Sequence, residues 1–192
     1  MKNLLAFGCS CTAGEGLPAR ELAWPELLPT LLKYQCINKG KQGASNKHIR
    51  YLIQNYSFSK NDIVIIQWTN ADRTSVISQN TVKDILPKDA DKSKWIKSYF
   101  QNLNTKIDSL YDLYTNANYV KYYLDDLGIP NYHCILHKSY KTNFKWSKIQ
   151  FYKGIHDEFC IDSCDDKLHP GIKSHKKFAK YLYKQIGDPI EN

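Results

Sequence analysis

No apolar run in this 192-residue chain approaches the length of a membrane span. Glycine and proline are scarce, at nine and seven residues, which excludes collagen-like and low-complexity chains. No stretch repeats at a fixed period, which excludes a solenoid. The apolar run after Met1-Lys2, through Leu4, Leu5, Ala6 and Phe7, is about five residues, against the roughly 7–15 of a signal peptide core. It therefore reads as a buried first strand, and a chain with no export signal as written is expected to be cytoplasmic. A disulfide framework is not needed at this length, although there are six cysteines. Cys36 and Cys134 sit in apolar runs as small hydrophobes. Zinc is weighed because Cys134-x2-His137 and Cys160-x3-Cys164 mimic a split ligand set. Positions three apart on a strand point to opposite faces, however, and the second spacing is loose, so no metal is expected.

What is present is a globular composition, 42% hydrophobic and 13% aromatic, long enough for a single domain spanning 1–192 with its own core. The 27 basic and 19 acidic residues leave a net charge of +8. Most of the excess is lysine beside abundant Asn, Ile and Tyr, a mixture that an AT-rich genome also produces. The excess alone therefore assigns no polyanionic partner.

Along the chain, strand-like and helix-like patterns alternate. Asn3 to Gly8 is a short apolar run closed by glycine. Glu21 to Lys33 carries a leucine stripe opened by Trp24-Pro25. Gln35 to Asn38 is a second strand candidate. Ser45 to Tyr56 has helical spacing, with Ser45 as N-cap. Asp62 to Trp68 (DIVIIQW) is a β-branched run of the kind buried on both faces of a parallel sheet. The link from Thr74 to Lys94 reads as a polar, irregular, exposed excursion. Apolar positions from Trp95 to Tyr114 mark a long amphipathic helix, and a second helical stretch runs to Leu127, where Gly128-Ile129-Pro130 ends it. Asn131 to Leu136 is another strand, residues 137–165 hold a short final strand plus loops, and Gly171 to Ile186 is a closing helix. This alternation predicts an α/β fold of three layers, α/β/α: a flavodoxin-like parallel sheet of about five strands with helices on both faces.

In such a sheet, ligands collect at the carboxyl ends of the strands. After the first strand comes Gly8-Cys9-Ser10-Cys11-Thr12-Ala13-Gly14. Small residues at a strand-to-helix turn let a serine hydroxyl stand clear with amides aimed at an oxyanion; equally, they make a tight turn with a capping serine. After the second strand, Gly43 in Asn38-Lys39-Gly40-Lys41-Gln42-Gly43 precedes a helix, where it either offers an N–H to an anion or is an ordinary loop glycine. After the third, Asn70 in Thr69-Asn70-Ala71-Asp72-Arg73 donates its amide or merely closes a local turn. Before the last helix, Asp166-x-x-His169 places a carboxylate within one turn of an imidazole, in a catalytic pair or in a solvated acidic cluster.

The four segments, in this order, resemble the SGNH (GDSL-like) hydrolase family from residue 5 to residue 186. The resemblance implies Ser10 as nucleophile, His169 as base, and Asp166 as the base's partner. It also implies an oxyanion hole made by the N–H groups of Ser10 and Gly43 and the side chain of Asn70. Cys9 replaces the aspartate of the Gly-Asp-Ser signature, and Trp68-Thr69 replaces the glycines before the third-block asparagine. That marks a divergent branch, similar to Gly-Cys-Ser variants of bacteriophage and bacterial genomes. The implied activity is cleavage of a carboxylic ester with a short acyl group, such as acetyl on a carbohydrate, through an acyl-enzyme and without metal or organic cofactor.

The segment 137–153 interleaves Lys138, Lys141, Lys145, Lys148 and Lys153 with Tyr140, Phe144, Trp146, Phe151 and Tyr152. Such a pattern suits sugars or anionic polymers, shapes a pocket, or forms a solvated lysine face over buried aromatics. The alternative from another class is a non-catalytic glycan- or polyanion-binding protein on the same fold, such as a virion component. Nucleic acid is disfavoured as a partner, because no recognised reading motif is present. Cys9 is expected to be structural, pointing inward away from Ser10 and lacking a positive group to make it reactive.

Overall fold

The computed structural model describes residues 2–79, 81–142 and 144–187. Four parallel strands form the central sheet in the order β2-β1-β3-β6: β1 (Asn3–Gly8), β2 (Gln35–Asn38), β3 (Asp62–Trp68) and β6 (Asn131–Ile135). Every residue of β3 is buried, as its unbroken β-branched run requires when helices cover both faces. Two helix pairs form the outer layers. On one side α2 (Trp24–Leu32) packs on α6 (Ile172–Ile186), and on the other α3 (Asn46–Gln54) packs on α5 (Lys106–Asp126). The core runs through Leu4, Leu5, Val64, Ile65 and Ile66 between these layers, all fully buried.

The fifth strand position holds one residue. Tyr152 makes a parallel bridge to Cys134, donating to the His133 carbonyl at 2.9 Å and accepting from the Ile135 amide at 3.2 Å. The bridge is isolated, although Gly154 still packs against Ile135, where a Cβ would lie 2.0 Å from the carbonyl oxygen.

The stretch after Thr74 differs from the sequence expectation. It is a hairpin of β4 (Thr74–Ser78) and β5 (Thr81–Ile85), followed by a 3-10 helix at Pro87–Lys92. Asp84 pins it to α3: its carboxylate accepts from the Ser45 amide at 2.9 Å and the Ser75 hydroxyl at 2.8 Å, and meets His48 Nδ1 at 2.6 Å. Ser45 caps α3 as expected, its hydroxyl accepting from the His48 amide.

The long helix expected from Trp95 is divided. A short helix, α4 (Lys94–Ser98), runs into a π turn at Tyr99–Leu103, and the stretch to Leu127 belongs to α5, which starts at its own N-cap, Thr105. The apolar spacing ran on across that break. Leu103, Ile107 and Tyr111 consequently face solvent, while α5 buries Leu110, Leu113, Ala117, Val120 and Leu124. Segment 137–153 is mostly loop around a 3-10 turn at Lys138–Tyr140. Phe144 packs edge-on against Tyr111 and Tyr114 while stacking on Trp146, and Tyr140 reaches a cavity described below. All six cysteines are free. No group of three His, Cys, Asp or Glu among the described residues could hold a metal. No helix among them is long and apolar enough to cross a membrane.

Candidate active site

The turn after β1 is built by close packing. Cys9 is the extended N-cap residue of a single helical turn, α1 (Ser10–Ala13), and its carbonyl accepts from Thr12 and Ala13. A Cβ on Gly8 would lie 2.1 Å from Thr12 Oγ1, so β1 must end in glycine for this turn to fold back on it. Thr12 then donates to Gln67 Oε1 at 3.0 Å, tying α1 to β3. A Cβ on Gly40 would lie 2.4 Å from the Ala13 amide nitrogen, and Asn38 clamps the same contact by donating to the Thr12 carbonyl at 2.9 Å and accepting from the Gly40 amide at 2.9 Å. The loop after β2 thus buttresses Ser10 from behind.

Asn46, 3% exposed, performs the corresponding task for the loop after β3. Its side-chain oxygen accepts from the Thr69 amide at 2.9 Å, and its amide donates to the Thr69 and Asn70 carbonyls. The Asn70 side chain is oriented by Tyr140, whose hydroxyl donates to Asn70 Oδ1 at 3.0 Å. With the oxygen engaged, the Asn70 NH₂ is the end left to donate.

Asp166 meets His169 Nδ1 at 2.6 Å, and its other oxygen accepts from the Leu168 and His169 amides at 2.9 and 3.1 Å. The ring and the two amides hold the Asp166 carboxyl down to about 2, ionised beside the imidazole. The loop is anchored from both sides. The Cys164 amide donates to the His169 carbonyl at 2.8 Å, and in α6 the His175 ring accepts from the Trp24 amide at 3.0 Å.

Ser10, Asn70 and His169 line one cavity of about 510 Å³, at the carboxyl ends of β1 and β3. Asp166 stands behind His169. Gly43 is not part of that lining. It occupies the turn before α3 in the left-handed region, φ 73°, with no atom within 4 Å of where a Cβ would sit.

Four further groups stand in the lining, Arg73, His137, Tyr140 and His156; the sequence weighed His137 only as a zinc ligand and Tyr140 only within a stretch that could shape a pocket, and it singled out neither Arg73 nor His156. Arg73 closes the segment that begins at Thr69, and Tyr140 belongs to the basic-aromatic stretch. His156 stands in no motif, yet its Nε2 lies 3.3 Å from Cys11 Sγ, and burial pushes its ring toward the neutral form.

Cys9 is 1% exposed, consistent with an inward position, but it also borders the cavity. The Cys11 thiol and the charge of Arg73 pull the Cys9 thiol well below the usual cysteine range. The expectation that no positive group attends Cys9 is therefore corrected. The Cys11 thiol is pushed up in turn, by Cys9 and by burial.

No protein-family model and no curated protein matches the chain. Among solved structures, it is similar to Est2A, an acetyl xylan esterase from the rumen bacterium Butyrivibrio proteoclasticus, with a TM-score of 0.55 and 13% identity over 97% of this chain and 64% of that one. It is also similar, at a TM-score of 0.44 and 13% identity, to a member of the lipolytic G-D-S-L family from Veillonella parvula, covering 98% of this chain and all of that one. A third similarity, at 0.44 and 18% identity, is to AlinE4, an SGNH-hydrolase family esterase, over 69% of this chain and 58% of that one. The chain spans less than two thirds of the length of Est2A and of AlinE4. The likeness to Est2A shows a shared three-layer α/β/α fold, the fold that the alternation of strand-like and helix-like patterns predicts.

Proposed function

We propose that this chain, carrying an SGNH-hydrolase-like fold, is a serine esterase that cleaves a carboxylic ester through an acyl-enzyme on Ser10. The observation that carries this reading is His169, held by Asp166 at 2.6 Å and sharing a cavity with Ser10 and with the oriented amide of Asn70. With Nδ1 engaged by an ionised carboxylate, His169 presents Nε2 as the basic nitrogen. It takes the Ser10 proton as the oxygen attacks the carbonyl carbon, then returns that proton to the departing alcohol. Water, deprotonated by the same ring, hydrolyses the acyl-enzyme. The developing oxyanion is received by the Asn70 amide and by the Ser10 N–H, which has no acceptor within its own helical turn. Each such donor contributes roughly 3–4 kcal/mol. The third donor, the Gly43 N–H, rests on the motif alone.

The cavity is open at one side and flanked by Leu168, 78% exposed, with no deep apolar tunnel among its lining. That shape fits a short acyl group such as acetyl on a sugar better than a fatty acyl chain. The test is labelling by a fluorophosphonate together with hydrolysis of para-nitrophenyl acetate. Wild type should label at Ser10 and turn over the ester. Ser10→Ala and His169→Ala should each fall almost to background because they act as one unit, and Asp166→Asn should lose less. A protein that neither labels nor hydrolyses any short-chain ester is a binder on this fold.

A further inference from the structure

Among the described residues, the Ser10 cavity is lined by one guanidinium, three imidazoles and no carboxylate. Arg73 supplies the permanent charge, with His137, His156 and His169 around it. Among the described residues its guanidinium makes one hydrogen bond, a long one of 3.5 Å to the Ala44 carbonyl, and no ion pair. The carboxylate next in sequence, Asp72, is exposed, and Asp166 is occupied by His169 and two amides. A half-buried arginine normally finds an acidic partner, because its planar fork matches a carboxylate or phosphate and its charge is expensive to leave bare.

Arg73 is also the wall between this cavity and a second one of about 220 Å³. There Lys47 and Arg50 face a single acid, Asp112. Arg50 lies over the Tyr119 ring at 5.3 Å, and its buried Nε makes no hydrogen bond. Two cavities that meet at Arg73 therefore hold three cations and one carboxylate, a positive strip leading away from the serine.

We propose that the ester cleaved at Ser10 carries an oxyanion, a carboxylate or a phosphate, and that Arg73 binds it while Lys47 and Arg50 extend the site toward further negative charge. This rests on the reading of the cavity as the ester site. It makes Arg73 a specificity-determining residue, and it narrows the substrate to anionic esters, such as acylated acidic sugars, over neutral ones.

The experiment compares kcat/KM for acetyl esters matched in shape: meta-acetoxybenzoate and meta-acetoxyphenyl phosphate against neutral methyl meta-acetoxybenzoate. A second pair, para-nitrophenyl hemisuccinate against its methyl ester, places the charge on the acyl side. Wild type at low salt should favour at least one anionic member about 10-fold or more, as charge-assisted hydrogen bonds of this kind do. The member favoured tells carboxylate from phosphate and alcohol side from acyl side. The preference should collapse toward one in Arg73→Gln, survive in part in Arg73→Lys, and shrink with added salt. Equal kcat/KM within every pair in wild type, or a preference unmoved in Arg73→Gln, overturns the proposal. Should wild type hydrolyse nothing and Ser10 stay unlabelled, the esterase reading fails separately. Calorimetry with meta-hydroxybenzoate and phenyl phosphate then decides the anion site: binding by wild type that Arg73→Gln abolishes upholds it, and no binding overturns it.

Discussion

Two buried histidines should make this protein lose stability in mild acid, well above the range where its carboxylates titrate. His175 and His133 are 0% and 2% exposed. Each uses Nδ1 as an acceptor, His175 from the Trp24 amide and His133 from the Trp68 indole, both at 3.0 Å. A proton on that nitrogen would set two N–H groups against each other, and burial already disfavours the charged ring. The His175 pKa is accordingly pushed down to about 4 and that of His133 to about 3. In the unfolded chain both return to about 6.5. Folded values below unfolded ones mean that stability is intact above about pH 6.5 and falls as the pH drops from there toward about 4 and 3, because unfolding takes up protons. At about pH 5 each ring lies some 1.5 units below its unfolded pKa, a loss of about 2 kcal/mol each and about 4 kcal/mol together. Against a total of roughly 5–15 kcal/mol for a domain, that is a large fraction. Asp166, depressed to about 2, contributes stability that is lost only as pH falls from about 4 toward 2, outside this window. Urea midpoints measured from neutral pH down to about pH 5 read the effect directly. His175→Gln keeps an acceptor for the Trp24 amide without a titrating ring, and should reduce the pH slope, to which His133 and the partly buried His156 still contribute. A midpoint flat over that range, or a slope unchanged in His175→Gln, would refute the reasoning.

Asn70→Ala should lower kcat by about 10²–10³ with KM little changed, because the oxyanion exists only in the transition state. Tyr140→Phe should lower kcat in the same direction by less, since it frees the amide to rotate without removing it; an unchanged kcat would show that Asn70 is oriented by other contacts. Gly40→Ala should destabilise the protein by about 1–3 kcal/mol and depress esterase activity, because the added methyl displaces the Ala13 backbone; thermal melting and turnover check the two effects. Cys9→Ala should retain ester hydrolysis while Ser10→Ala does not. The reverse pattern would make the thiol beside Arg73 the nucleophile.

The features legible in the sequence are those whose cause is local. A β-branched run such as Asp62–Trp68 declares a buried strand, because no other backbone hides that many branched side chains. Ser45 declares a helix start, and the three-residue spacing of Asp166 and His169 lets them meet within one turn. The periodic pattern failed where a locally continuous stripe crossed the break at Asn104 and Thr105, since spacing says which residues share a face and not which face finds a core. The cavity itself depended on tertiary structure. Tyr140 reaches Asn70 across 70 positions, and His156 reaches Cys11 across 145. The Gly40 loop presses on Ala13 from a different strand. Chain order places each block after its strand, but only the parallel order β2-β1-β3-β6 brings those strand ends side by side. The charge of the cavity is likewise a tertiary property: Arg73 is one of 27 basic residues in the sequence, and the folded chain sets it beside Ser10 with no acid in the lining.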